Sequence, residues 1–269
     1  MFDLTCTDRK RFIATPHSVS GLPDLKNESS HYGLIVWEEH CVECGQPYCF
    51  KTCSLYKRGF DGKCQRLEYG FAPFKLPDGR EVIACEFRRW GKIEGVFTGR
   101  VVSRRMGSFL QGADLVLGKI VRWINCMMSF VPGRIGAITG YRHLRQCILH
   151  GVGSQKTIAR LFVEVFTKED AVLICKVCRG ESLLFEETLQ LKSGWSTHDL
   201  QLPMIEKGVR ILLLPGQDTT PTLTFSHLDL LPPRHSPFVK CVAWDLDNTL
   251  WTGILSEDGS DQLRMKQGV

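Results

Sequence analysis

Residues 193–232 read SGWSTHDLQLPMIEKGVRILLLPGQDTTPTLTFSHLDLLP, and this stretch decides the fold class. Within it, three short runs with apolar residues at alternate positions are separated by turns rich in Gly, Pro, Asp or Lys. Successive side chains of a β-strand point to opposite faces, so such alternation predicts strands with one buried face. The predicted strands cover 196–202, 209–214 and 222–231.

The period of two extends towards the N-terminus as far as residue 159, with Leu161, Val163 and Val165 on one side of a predicted strand. Two more strands are predicted at 171–178 and 182–189. Short strands at regular spacing predict an antiparallel β-sandwich. Further strands are predicted at 33–37 and 82–90. Because an isolated pair of strands does not form a stable sheet, we expect these two to join the sandwich.

In pattern, this series resembles the closing strands of galactose-binding-type jelly rolls, which are common in carbohydrate-binding modules. The resemblance implies a jelly-roll-like sandwich that binds carbohydrate or a protein partner. Trp195 matches an aromatic residue that such modules often place before a strand. That aromatic residue is usually part of the core, so we do not assign Trp195 to sugar binding.

A basic helical hairpin is predicted at 101–151, between the early and the later strands. Apolar residues recur there at steps of three or four, namely Phe109, Ala113, Val116, Ile120, Ile124 and Met127. This period predicts one helix from 103 to about 130 and a second over 134–150. Such a stripe is typical of packing on a neighbouring sheet, whereas a basic amphipathic hairpin can also lie on a membrane surface.

Positive charge is concentrated between residues 88 and 160. This block holds 13 Lys and Arg against two acids, a net charge of +11, whereas the rest of the chain carries −6 of the total of +5. Such a block favours an anionic partner, for example a phosphorylated substrate or an acidic acyl carrier protein. The alternative is a solvated basic face. Nucleic acid ranks low, because no motif with groove-binding geometry accompanies the charge.

A cysteine cluster occupies residues 41–53, CVECGQPYCFKTC, with Cys41, Cys44, Cys49 and Cys53 in the spacing C-x2-C-x4-C-x3-C. Four thiolates on a short loop can converge on one Zn²⁺ ion or bind one [4Fe-4S] cluster. The alternative is a set of buried thiols that act as small apolar side chains. The segment resembles the N-terminal iron–sulfur segment of the glutamate synthase small subunit, but Ser54 replaces the proline of that pattern. Zn²⁺ and iron–sulfur therefore both stay open.

Near the C-terminus, residues 240–259 read KCVAWDLDNTLWTGILSEDG. The apolar run 240–244 predicts a buried strand, and Asp245, Asp247 and Thr249 follow it directly. Two carboxylates two residues apart repel each other unless a cation lies between them, so the pair predicts Mg²⁺. The alternative is an Asx turn at the end of a strand, where Asp and Asn are common.

The string DLDNTLWTGILSEDG resembles the FkbH-like branch of the haloacid dehalogenase (HAD) superfamily. The resemblance implies Mg²⁺-dependent phosphoryl or phosphoglyceryl transfer. Asp245 would be the nucleophile and a Mg²⁺ ligand. Asp247 would be the general acid/base and a second Mg²⁺ ligand, and Thr249 would brace the loop. A doubly wound domain needs on the order of 100 residues, but 30 residues remain from Lys240 onwards. We therefore expect the N-terminal portion of such an enzyme, inactive by itself.

The sequence thus predicts an α+β protein. A Cys-rich metal-binding module and a helical hairpin attach to, or insert in, a jelly-roll-like antiparallel β-sandwich, and the first strand of a truncated HAD α/β domain follows. The predicted segments are 1–100 with the cysteines and early strands, 101–151 for the hairpin, 152–231 for the sandwich, 232–238 for a linker and 239–269 for the incomplete HAD-like domain. No transmembrane run or signal peptide is predicted, so the expected location is the cytoplasm.

Overall fold

The computed structural model describes residues 1–3, 31–43, 53–57, 64–127, 144–145, 147–216, 219–233, 251–252 and 264–265. In this part of the chain the strands and the long helix are β1 (His31–Cys41), β2 (Ala72–Lys75), β3 (Glu81–Glu86), β4 (Gly91–Ser103), α1 (Arg104–Met127), β5 (Ser154–Gln155), β6 (Ile158–Thr167), β7 (Ala171–Arg179), β8 (Ser182–Leu191), β9 (Gly194–Ile205), β10 (Arg210–Pro215), β11 (Thr222–Leu231), β12 (Trp251–Thr252) and β13 (Arg264–Met265). The chain divides into two compact units, Met1–Pro233 and Arg234–Val269.

Antiparallel pairing connects the strands of the first unit into two halves of one sheet. The first half runs β8-β7-β10-β4-β1, and the second comprises β2, β3, β11, β6 and β9. The halves are joined where β1 meets β11, at Gly33 and Leu230. β3 also pairs with β11, over residues 222–225. The predicted antiparallel β architecture is therefore confirmed, and so is the expectation that the strands near 33–37 and 82–90 join the later ones.

One apolar core lies between the two halves of the sheet. Alternate residues of each strand enter it, such as Leu173 and Val177 of β7 in the first half and Leu161 and Val163 of β6 in the second. This alternation follows from the period of two in the sequence. β11 departs from it once, because a bulge between Phe225 and His227 shifts the register. The residues buried between the halves form one contiguous cluster, as expected of a β-sandwich, and a second, smaller cluster packs Leu34 and Val102 against Leu110 of α1.

Gly33 marks the close approach of the two halves. A Cβ atom at this position would lie 3.0 Å from Leu230 Cβ, 3.0 Å from a ring carbon of Phe97 and 3.1 Å from Ile158 Cδ1. Such contacts are tighter than ordinary van der Waals packing, so a larger residue would push the halves apart. The glycine therefore permits the crossing from β1 to β11.

Helix α1 follows β4 directly. The Ser103 hydroxyl accepts a hydrogen bond from the Met106 backbone N–H at 3.3 Å, which caps the first turn. Residues 144–145 and 147–151 are also helical, while the predicted turn between the two helices lies outside the described residues. The buried side of α1 carries Gly107, Leu110, Asp114 and Gly118 rather than the predicted apolar stripe.

The second unit is described at only four positions. β12 and β13 pair there in antiparallel fashion, with Trp251 opposite Met265 and Thr252 opposite Arg264. The strand predicted at 240–244 lies outside the described residues.

Candidate binding groove

The first half of the sheet has an outer face that carries charged residues. Ile93 and Phe97 of β4 enter the core, so Lys92 and Glu94 point to the other side. The strand pairings place Glu94 in one transverse row that crosses five strands: Glu38, Glu94, Leu212, Lys176 and Glu186. This row therefore carries four charged side chains and one leucine.

An open groove of about 350 Å³ lies at one end of the outer face. It is lined by Val42, Trp90, Gly91, Ile174, Lys176, Leu214, Pro215, Gly216 and Thr219. Ile174 of β7 and Leu214 of β10 are paired neighbours and provide an apolar surface. The end of β1 and the β3–β4 turn contribute on one side, and the loop after β10 contributes on the other. Four segments far apart in sequence, around residues 42, 90–91, 174–176 and 214–219, thus form one concave surface.

Trp90 holds a backbone conformation that bulky residues rarely adopt. Its φ is 58°, in the left-handed region, where a side chain with a Cβ atom is strained. The surrounding turn maintains this conformation, because Gly91 N–H donates to the Arg88 carbonyl at 2.8 Å and Val42 N–H donates to the Trp90 carbonyl at 2.9 Å. The Arg89 guanidinium lies 5.0 Å from the centre of the indole ring. Strained backbone of this kind concentrates at functional sites.

The charges near the groove are paired. Lys176 Nζ lies 3.1 Å from Glu186 Oε2, and both side chains are partly exposed. Lys92 Nζ lies 2.6 Å from Glu94 Oε2 in a close ion pair, and Arg210 Nη1 lies 3.4 Å from Glu94 Oε1. Lys92 and Glu94 are almost completely buried, so they act as a fixed internal pair. The Lys176–Glu186 pair is the one that a ligand can reach.

Chemically, the groove combines an aromatic ring and apolar side chains with a few polar groups. Lys176 supplies an ammonium group and Thr219 a hydroxyl, beside the indole of Trp90. Small-molecule sites typically have this make-up, in which apolar surface binds and a few polar groups orient the ligand. The volume of about 350 Å³ falls in the lower part of the range of such sites.

The second half of the sheet carries a different polar cluster on its outer face. His227 Nδ1 lies 3.1 Å from Asp229 Oδ2, and Arg104 Nη1 of α1 lies 3.1 Å from the same oxygen. The Ser226 hydroxyl donates to the buried Glu164 carboxylate. Burial raises the pKa of Asp229, but the His227 hydrogen bond and the Arg104 charge outweigh it, so the pKa lies below its ordinary value. The cluster ties the start of α1 to β11.

The structure contradicts the prediction of metal cofactors. Across the part of the chain that it describes, no group of three or more His, Cys, Asp or Glu side chains could hold a metal ion. The prediction of Zn²⁺ or a [4Fe-4S] cluster at Cys41, Cys44, Cys49 and Cys53, and of Mg²⁺ at Asp245 and Asp247, is therefore wrong for the described residues. Cys44, Cys49, Asp245, Asp247 and Thr249 themselves lie outside them.

The described cysteines show why the spacing misleads. Cys41 is buried at the end of β1, whereas Cys53 is exposed and its sulfur accepts a hydrogen bond from the Leu55 N–H. The Cys64 thiol is 3.8 Å from the Leu55 carbonyl. Burial, with a smaller contribution from Glu187, raises the pKa of Cys175 to about 12. Burial likewise raises the pKa of Cys85. The last two are protonated core thiols, which act as small apolar side chains.

The comparisons with known proteins add little to this picture. No protein-family model matches the chain, and no curated protein matches it. One solved structure, described as "CBM4 structure and function", aligns with 61% of this chain and 86% of its own at 9% identity, with a TM-score of 0.31. A likeness of this size carries no inference about fold or function.

Proposed function

We propose that the β-sandwich is a carbohydrate-binding module and that its ligand occupies the groove beside Trp90. The observation that supports this most is that a half-buried tryptophan, apolar side chains and Lys176, which pairs with the partly exposed Glu186, meet at one open concavity. Sugar rings present C–H groups on their faces and hydroxyls at their edges. An aromatic ring suits the first, and charged or hydroxyl side chains suit the second.

The position of the groove favours carbohydrate over an extended peptide. A peptide that adds a strand to a sheet needs an edge strand with unpaired main-chain groups. The groove lies instead on the face above β7 and β10. β7 pairs with both β8 and β10, whereas β10 pairs with β7 over 210–215 and with β4 over 210–213. Pairing therefore occupies the main chain of β7 and most of that of β10, which leaves too short a stretch for an added strand, so a ligand is recognised mainly through side chains.

Replacing Trp90 by alanine is expected to lower the affinity for carbohydrate about thirtyfold, the loss typical of a central aromatic contact. Affinity electrophoresis through gels that contain β-glucan, xylan, mannan or galactan measures it. Trp123→Ala is the matched control, because Trp123 is an exposed tryptophan on α1. We expect at least one polysaccharide to retard the wild-type chain and Trp123→Ala equally, and to retard Trp90→Ala far less. Equal retardation of Trp90→Ala and the wild type, or no retardation by any of the four, contradicts the proposal.

A second proposal rests on sequence alone. The resemblance of DLDNTLWTGILSEDG to the FkbH-like branch supports phosphoryl transfer with Asp245 as the nucleophile. In the full-length natural protein, Asp245→Asn is expected to abolish hydrolysis of a phosphate ester. Asp78→Asn, at an exposed turn between β2 and β3, serves as a carboxylate control and should leave the rate unchanged. Turnover that survives Asp245→Asn contradicts this role.

A further inference from the structure

Helix α1 presents a continuous apolar stripe to solvent. Met106, Phe109, Ala113, Val116, Ile120 and Trp123 recur at steps of three and four, which places them along one side of the helix. Phe109 is 69% exposed, Trp123 is 64% exposed and Val116 is 53% exposed. Large apolar side chains that form a contiguous exposed patch usually mark a site of interaction.

The opposite side of α1 is fixed to the body, so the stripe cannot turn inward. Gln111 exchanges two hydrogen bonds with the Phe2 main chain, at 2.8 and 3.1 Å. Asp114 is buried and pairs with Arg145 at 2.8 Å. Tyr32 lies so close to Gly107 that a Cβ atom there would overlap its hydroxyl. Rotation of the helix would break all three contacts.

The charge of α1 is positive along the exposed stripe. The helix contains four basic residues and one acid, and that acid is the buried Asp114. Arg105 and Lys119 are exposed, and the helical period places both at the margin of the stripe. An apolar stripe with Trp and Phe, bordered by Arg and Lys, is the arrangement of helices that lie in the headgroup region of anionic bilayers.

We infer that α1 docks this protein on an anionic phospholipid surface. The stripe from Met106 to Trp123 is about 26 Å long at the rise of an α-helix, so the helix lies flat and embeds one side. Phe109, Val116 and Trp123 enter the boundary between headgroups and acyl chains, while Arg105 and Lys119 contact lipid phosphates. Nowhere in the described residues does a helix have the length and apolar content needed to cross a bilayer, and surface docking requires none.

Charge favours lipid over a second copy of the chain. Two copies that paired through this stripe would bring Arg105 and Lys119 of both close together, and like charges at an interface oppose association. An acidic carrier protein would satisfy the charges but would have to bury five large apolar side chains as well. An anionic bilayer offers both an apolar interior and negative headgroups.

Sedimentation with vesicles tests the inference. We expect the chain to bind phosphatidylcholine vesicles that contain about 30% phosphatidylserine and not phosphatidylcholine alone, and binding to weaken as NaCl rises from about 0.05 to about 0.5 M. Phe109→Ala with Trp123→Ala is expected to lower the partition coefficient about tenfold or more. Arg105→Glu with Lys119→Glu is expected to do the same. Met204→Ala, a 70% exposed apolar residue of β9, is the control and should bind like the wild type.

Three results would overturn the inference. The first is equal binding of the wild type and both double variants to the anionic vesicles. The second is a concentration-dependent dimer, in analytical ultracentrifugation, that Phe109→Ala with Trp123→Ala abolishes. The third is shielding of Trp123 from acrylamide in the vesicle-free protein, measured as the fluorescence difference between the wild type and Trp123→Ala. Because all the altered side chains are exposed, circular dichroism and thermal unfolding of the variants should match the wild type.

Discussion

Glu94→Ala is expected to lower the free energy of unfolding by about 3–5 kcal/mol. Glu94 is 1% exposed, and its carboxylate lies 2.6 Å from Lys92 Nζ and 3.4 Å from Arg210 Nη1. Removing the carboxylate leaves the buried ammonium of Lys92 without its closest counter-charge, and burial of an unpaired charge is costly. Urea unfolding followed by circular dichroism gives the free energy.

The paired replacement Lys92→Met with Glu94→Leu distinguishes two free energies. One is the cost of burying an unpaired charge, and the other is the net contribution of the ion pair to stability. It removes both charges and fills similar volume, so most of the stability should return. The double variant should therefore be more stable than Glu94→Ala, even though it carries more changes. Glu94→Ala with nearly wild-type stability, or a double variant no more stable than Glu94→Ala, contradicts the description of a desolvated ion pair.

Trp37→Ala is expected to cost about 3–5 kcal/mol, because it opens a large cavity in the core. Trp37 is fully buried on β1. Its backbone also forms hydrogen bonds with the N-terminal segment. The Asp3 N–H donates to the Trp37 carbonyl at 2.8 Å, and the Trp37 N–H donates to the Met1 carbonyl at 2.9 Å. Urea unfolding of the purified variant measures the loss.

Trp37→Phe is the matched control. The Trp37 indole Nε1 is buried and has no hydrogen-bond partner in the described part of the chain. Phenylalanine retains most of the volume and removes that unsatisfied donor, so the loss should stay below about 1.5 kcal/mol. A loss for Trp37→Phe as large as that for Trp37→Ala would mean that the indole nitrogen makes an essential contact.

The strands of the sandwich could be predicted because their side chains alternate. In β6 the residues Leu161, Val163 and Val165 recur at every second position, and in β11 the same period holds on either side of one three-residue step; the structure buries these residues. The bulge after Phe225 was not predicted, although the three-residue step from Phe225 to Leu228 interrupts the period of two at that point. Local periodicity thus predicts elements, and pairing determines register.

The orientation of α1 was not predictable from its apolar stripe. The body-facing side carries Gly107, Asp114 and Gly118 beside the single buried Leu110, so its hydrophobic signal is weaker than that of the exposed stripe. Close approach to Tyr32 and pairing with Arg145 select that side instead. Contacts between residues far apart in sequence therefore outweigh the amphipathic pattern that usually points a helix towards the core.

The groove could not be predicted from the sequence either, because it too depends on contacts between residues far apart in the chain. Trp90 ends a predicted strand and gives no local sign of a site, and Lys176 lies in the middle of another strand. Only the packing of β7 and β10 beside the β3–β4 turn brings them together. The one available signal is the tryptophan directly before Gly91, which marks a tight turn with an aromatic residue in it. The cysteine spacing was a stronger signal, but it pointed to a metal that the described residues cannot hold.

Hydrogen–deuterium exchange tests carbohydrate binding at the groove directly. The protein is measured with and without a soluble oligosaccharide, taken from the polysaccharide that retards the chain most strongly. The predicted result is slower exchange in peptides that contain Trp90 and Gly91, Ile174 to Lys176 and Leu214 to Gly216, with no change in α1. Slower exchange confined to β6 and β9 on the other half of the sheet, or no change anywhere at saturating oligosaccharide, would contradict it.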